Sequence, residues 1–94
     1  MKGENKIMVS KTITINNAEG LHARPATEIA KSATQYTSTI ELDVNGNKYN
    51  AKSVLNIMSA GIKNSTQIKI ICDGVDEQKA LDGLVETFEK NALV

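Results

Sequence analysis

The dipeptide Asn45-Gly46 separates two short segments of strand-forming pattern, and it constrains the fold more than any other feature of the chain. Both residue types accept positive φ, which a two-residue hairpin loop demands and most residues resist. Ahead of it, Thr39 to Val44 alternates, with Ile40, Leu42 and Val44 on one face and Thr39, Glu41 and Asp43 on the other. A strand around Lys48 to Ala51 is expected to return from the turn. A hairpin with one apolar face cannot stand alone, so the rest of the chain must supply its partners.

The remaining periodicities do so. Val9 to Asn16 is rich in β-branched residues, with Val9, Ile13 and Ile15 on one face, although Lys11 breaks the alternation. Gln67 to Cys72 places Ile68, Ile70 and Cys72 together. From Ala23 the period becomes helical: Ala23, Ala26, Ile29, Ala30 and Ala33 form a stripe of mostly small side chains that lets a helix lie close to a sheet. Ser53 opens a short helix that Gly61 ends in the position of a C-terminal cap. Asp76 is expected to cap a last helix whose stripe is Leu81, Leu84, Val85 and Phe88. Gly83 within it costs about 1 kcal/mol relative to alanine and is read as a place of close backbone approach. The order is βαββαβα. It predicts an α/β (α+β) fold: a two-layer, open-faced β-sandwich with helices on one face of a four-stranded antiparallel sheet.

Composition sets limits on function. The 94 residues suffice for a single domain, 1–94, in which the polar segment 1–7 is expected to be a disordered tail. With no Trp, one Phe and two Tyr, the core has to be aliphatic. Eleven basic side chains balance eleven acidic ones, which argues against a general nucleic-acid binder. There is no apolar leader and no run of membrane length, so a soluble, cytoplasmic protein is expected, with no membrane partner. Cys72 is the only cysteine and follows Ile70-Ile71; a buried, inert thiol in a reducing compartment is expected. One histidine and one distant cysteine make no metal site, and no Gly-rich nucleotide loop is present; no cofactor is expected.

Chemistry concentrates in Gly20 to Thr27, GLHARPAT, which holds the only histidine and the only proline. His22 falls where a loop meets a helix, and there the first backbone N–H groups have no intrahelical acceptor. Pro25, in the first turn, fixes φ without forfeiting a needed hydrogen bond. Such a helix start attracts anions, and Arg24 adds a planar guanidinium suited to phosphate oxygens. A nucleophilic imidazole beside a phosphate cradle is what a transient phosphohistidine requires. Phosphoryl transfer depends mostly on positioning and charge stabilisation, so few parts suffice. Without a nucleotide loop, the phosphate has to come from another protein.

GLHARPAT resembles the active-site signature of the HPr family, the histidine phosphocarriers of the bacterial sugar phosphotransferase system. A second segment, NAKSVLNIMSAGI, resembles that family's regulatory serine region. The separation of the two segments and the βαββαβα order also fit, over about Met8 to Phe88. The resemblance implies that His22 accepts a phosphoryl group on Nδ1 from enzyme I and passes it to enzyme IIA domains. The protein would then be a recyclable substrate with no reaction of its own. It implies that Arg24 stabilises the phosphate, that Pro25 fixes the helix start, and that Val54, Leu55 and Met58 dock these partners. It further implies that Ser53 is modified by an ATP-dependent HPr kinase/phosphorylase, and that the carrier is a monomer. A short helix cannot bury Val54, Leu55, Ile57 and Met58 together, so Ile57 is assigned to the core. Asn56 stands where many kinase-regulated members have glycine, Ala60 replaces a frequent leucine, and seven residues precede Met8.

Two competing functions have distinct signatures. A regulatory paralogue would use Ser53 to engage a transcriptional regulator, as one HPr-like variant type does after losing its histidine; His22 argues against that as the sole role. A histidine-dependent hydrolase would need a G-x-S-x-G elbow and a substrate pocket, and the sequence offers neither.

Overall fold

Asn45 and Gly46 have φ of 55° and 88°, the pair of positive values that a type I′ turn needs. In the computed structural model, which describes residues 8–94, this turn joins β2 (Thr39–Val44) to β3 (Asn47–Asn50). The segment 1–7, expected to be a disordered tail, lies outside the described residues. The other elements are β1 (Val9–Thr14), α1 (Ala23–Ala33), α2 (Val54–Ser59), β4 (Gln67–Asp73) and α3 (Glu77–Lys90). The order is βαββαβα, and the four strands form one antiparallel sheet arranged β1-β4-β2-β3. It is an α+β open-faced sandwich, as the periodicities predict.

Register explains which residues meet. Ile13 pairs with Ile68, Leu42 with Ile70 and Ile40 with Cys72, so these pairs on the covered face are apolar. Lys11 pairs with Ile70 and therefore belongs to the same row, yet it is exposed. It sits on an edge strand, where an exposed lysine discourages pairing with another chain. The break in alternation is thus a property of the edge. Phe88, Ile29, Ile57, Leu84 and the paired strand residues form one buried cluster among the described residues. Cys72 is fully buried within it; burial, with Asp76 and Glu77 nearby, pushes its thiol up to about 11. It packs as a small hydrophobe.

Three local expectations need correction. Ala23 is exposed, because the first turn of α1 opens onto a cavity around His22. Asp76 occupies the N-cap position of α3 but makes no capping bond with its side chain. Its carboxylate instead accepts from the N–H groups of Thr37 and Ser38 (2.9 Å each) and from the Ser38 hydroxyl. Three donors outcompete one helix N–H, and they satisfy Ser38, which is 1% exposed. Gly83 is indeed a site of close approach, but to a side chain: a Cβ there would overlap the Tyr36 hydroxyl.

Candidate functional site

The loop between β1 and α1 is tied down along its length. The Asn16 N–H donates to the Leu93 carbonyl (2.8 Å), and the Asn17 N–H to Asn64 Oδ1 (3.0 Å). Asn17 then organises the turn: its Oδ1 accepts from the Glu19 N–H and its carbonyl from the Gly20 N–H, both at 2.9 Å. Gly20 has φ of 66°, and a Cβ on it would overlap the Ile62 carbonyl oxygen. That close approach lets the Leu21 N–H bond to the same carbonyl (3.1 Å) while the Leu21 side chain is buried. The chain leaves this anchor at His22.

His22 is the N-cap of α1, with extended backbone (φ −88°, ψ −166°). Its carbonyl accepts the first helical bond, from the Ala26 N–H at 3.0 Å, but its side chain caps nothing. Among the described residues, the N–H groups of Ala23 and Arg24 therefore keep no intrahelical acceptor and no side-chain cap. Pro25, at the third helical position, has no N–H to leave unsatisfied, and its ring is buried under the site. The His22 side chain is 48% exposed, with Nε2 3.0 Å from Oε1 of Glu19. His22, Arg24 and Pro25 line one open cavity of ≈ 570 Å³ together with Asn17, Glu19 and Ala23. Asn91 and Leu93 close it from the C-terminal side.

The second predicted segment lies apart from that cavity, on α2. Ser53 is the N-cap, and its hydroxyl accepts from the Asn56 N–H at 3.1 Å. Asn56 also fixes the preceding strand, since its Oδ1 accepts from the Asn50 N–H at 2.6 Å. Lys52 Nζ donates to the Tyr36 carbonyl (2.8 Å). Ile57 is fully buried, Leu55 is 80% exposed and Met58 is 41% exposed. Val54 is half-buried against the core. Helix α2 packs against α1, and the segment that follows it holds Leu21, so the two predicted segments share one structural unit.

The sequence reading missed Glu19, Asn91 and Leu93 as parts of the site. An acidic residue three positions before the histidine was the available signal for Glu19. Nothing local marks the C-terminal pair: Ala92, with φ of 56°, turns the chain after α3 so that Leu93 reaches Asn16. Among the described residues no group of acidic, His and Cys side chains is arranged to hold a metal, and no helix is long and apolar enough to cross a membrane.

The family described as the PTS HPr component phosphorylation site matches residues 9–90. The histidine-containing phosphocarrier protein of a Mycoplasma is similar at 36% identity, over 92% of this chain and 98% of that one, with a TM-score of 0.90. The phosphocarrier protein HPr of Bacillus anthracis is 34% identical over 85% of this chain and 95% of its own (TM-score 0.79). The Bacillus subtilis catabolite repression protein Crh, seen as a domain-swapped dimer, is also 34% identical, over 87% and 94% (TM-score 0.70).

Proposed function

The chain belongs to the HPr family of the bacterial phosphotransferase system, and from that premise we propose that it is a single-domain, cytoplasmic phosphocarrier whose acceptor is His22. The carrying observation is the imidazole's place: half-exposed at the start of α1, capping nothing, beside Arg24 and two backbone N–H groups that are free among the described residues. A phosphoryl group on Nδ1 would meet those N–H groups, the positive end of the helix dipole and the guanidinium. Nδ1 is also the nitrogen not engaged by Glu19.

In this reading enzyme I, charged from phosphoenolpyruvate, donates to His22, and His22 donates to enzyme IIA domains. The chain's own part is to place a nucleophile and stabilise charge. An open site suits a carrier, because each partner has to bring its own reacting atoms to the same imidazole. Leu55 and Met58, with the edge of Val54, give such partners an apolar surface to dock on. Ser53 at the head of that helix is the proposed regulatory position, and a phosphate on it would place a dianion beside Val54 and Leu55. The similarity to Crh favours a second reading, a regulatory module that engages a transcriptional regulator through Ser53; in it His22 would be dispensable. Crh is a dimer, and we expect this chain to be a monomer, which sedimentation equilibrium measures directly.

Incubation with enzyme I and labelled phosphoenolpyruvate tests the main reading. Wild type should take up acid-labile phosphate. His22→Ala should take up none while melting as wild type does. Arg24→Ala should slow transfer by about tenfold or more, as loss of one hydrogen bond to a charged group implies. Label on His22→Ala would place the acceptor elsewhere.

A further inference from the structure

An imidazole has two nitrogens, and in its neutral form only the one without a proton is a nucleophile. Nε2 of His22 lies 3.0 Å from the Glu19 carboxylate. A carboxylate accepts hydrogen bonds and donates none, so this contact favours the tautomer with its proton on Nε2 and its lone pair on Nδ1. The loop presents the carboxylate by construction. Asn17 binds the N–H groups of Glu19 and Gly20, Asn64 holds Asn17, and Ile62 holds Leu21. Arg24, the other charged side chain lining the cavity, is a donor only, while Asn17 and Asn91 are neutral. Glu19 is thus the charged acceptor facing the imidazole.

We propose that Glu19 is a positioning residue for phosphoryl transfer, holding the Nε2 proton so that Nδ1 takes up and releases phosphorus without any proton moving. The proposal rests on the carrier reading. On uptake, the Nδ1 lone pair forms the N–P bond as the donor–phosphorus bond breaks and its electron pair returns to the donor. His22 is then a phosphoimidazolium whose Nε2–H⁺ faces the carboxylate. On release, the N–P electron pair returns to Nδ1, and the leaving group is already the neutral Nε2–H imidazole. With the opposite tautomer, Nδ1 would have to lose a proton before attack.

The test uses ¹⁵N-labelled histidine in the unphosphorylated protein at about pH 8.5, well above the ordinary histidine range. Nitrogen shifts there report the ratio of the two tautomers. Glu19→Ala should lower the Nε2–H to Nδ1–H ratio by about 1.5- to fivefold, the scale of one exposed charged pair. Its rate of phosphorylation by enzyme I should fall only in proportion to the loss of the Nε2–H fraction that the spectra measure, with an unchanged melting temperature. An unmoved ratio in a protein whose wild type is phosphorylated overturns the role of Glu19 and leaves the carrier reading intact. Faster transfer in Glu19→Ala also overturns it, since the carboxylate would then act by repelling phosphate. A wild type that takes no phosphate overturns the carrier reading, whatever the spectra show.

Discussion

Replacing Gly20 with alanine should disable the site from a position that touches no phosphate. Two costs add. A non-glycine residue at φ of 66° costs about 1–2 kcal/mol by sterics alone. The new Cβ would also overlap the Ile62 carbonyl oxygen and lie 2.9 Å from the Lys63 Cα, and both are backbone atoms that cannot swing aside. The segments must separate, which sacrifices the Leu21-to-Ile62 hydrogen bond, about 0.5–1.5 kcal/mol net, and loosens buried Leu21. Gly46→Ala is the control: φ is again positive, at 88°, but nothing lies within 4 Å of the added Cβ. At about 4–8 °C per kcal/mol for a domain of this size, Gly46→Ala should melt on the order of 5–10 °C lower and Gly20→Ala on the order of 10–20 °C lower. Well below its melting point, Gly20→Ala should also accept phosphate from enzyme I more slowly, because the loop that aims His22 has shifted; Gly46→Ala should not. Differential scanning calorimetry and a labelled-phosphate time course supply both numbers. Equal melting temperatures for the two variants would refute the close approach, and a wild-type transfer rate in Gly20→Ala would refute its role in aiming the imidazole.

Met58→Glu should weaken binding to enzyme I, measured by calorimetric titration, while the melting temperature moves little; Ile57→Ala should cost about 2–5 kcal/mol of stability, because that side chain is fully buried. If Met58→Glu collapses the melt and spares the affinity, α2 docks nothing. The Asp76 carboxylate is held down to about 2, against 3.8 unperturbed, first by the Ser38 hydroxyl and then by the Thr37 N–H. Its folded value is the lower one, so its stabilisation is complete above pH ~4 and disappears as pH falls through ~2. Denaturant titrations across that window should show wild type losing stability that Asp76→Asn lacks at every pH; parallel curves would contradict the linkage. Ser53→Asp should keep its melting temperature, since aspartate is also a good N-cap, yet accept phosphate from enzyme I more slowly at low salt. Equal rates would reduce Ser53 to a helix cap.

The elements that were legible in the sequence are those whose cause is local. Asn45-Gly46 carries its turn in its own backbone preference, and alternation in Thr39–Val44 states which face meets the helices before any helix is placed. Ile57 is assigned to the core because a helix that short cannot bury four apolar residues and the family resemblance gives the other three to docking. Misreadings cluster where a side chain had a choice between near and distant partners. Asp76 stands where a cap should be, but its acceptors were claimed by Thr37 and by Ser38, 38 positions away in sequence. Gly83 announces crowding without naming its source, Tyr36. The candidate site shows the same division. His22, Arg24 and Pro25 are legible because a helix start produces free N–H groups from its own geometry, whatever lies around it.

What anchors the loop leading to the imidazole was not legible, because it comes from three separate places: Ile62 after α2, Asn64 before β4 and Leu93 after α3. Each bonds the loop between Asn16 and Leu21, and among the described residues none of the three is hydrogen-bonded to His22. That separation has a chemical consequence. The anchors stiffen the approach to the histidine, while its ring stays half-exposed with one nitrogen on Glu19 and the other unengaged among the described residues. An imidazole buried by those contacts would be well placed for one partner and closed to the next. A carrier has to be reached from the same side by a donor and by several acceptors. The rigidity is therefore in the backbone leading to His22, and the side chain proposed as the acceptor is left at the surface. If instead the ring were held by the anchors, substitutions at Leu93 and at Glu19 would affect transfer alike. On the geometry described they should separate: Leu93→Ala lowers stability first, by loss of a side chain that is 1% exposed, and Glu19→Ala alters transfer with the fold intact.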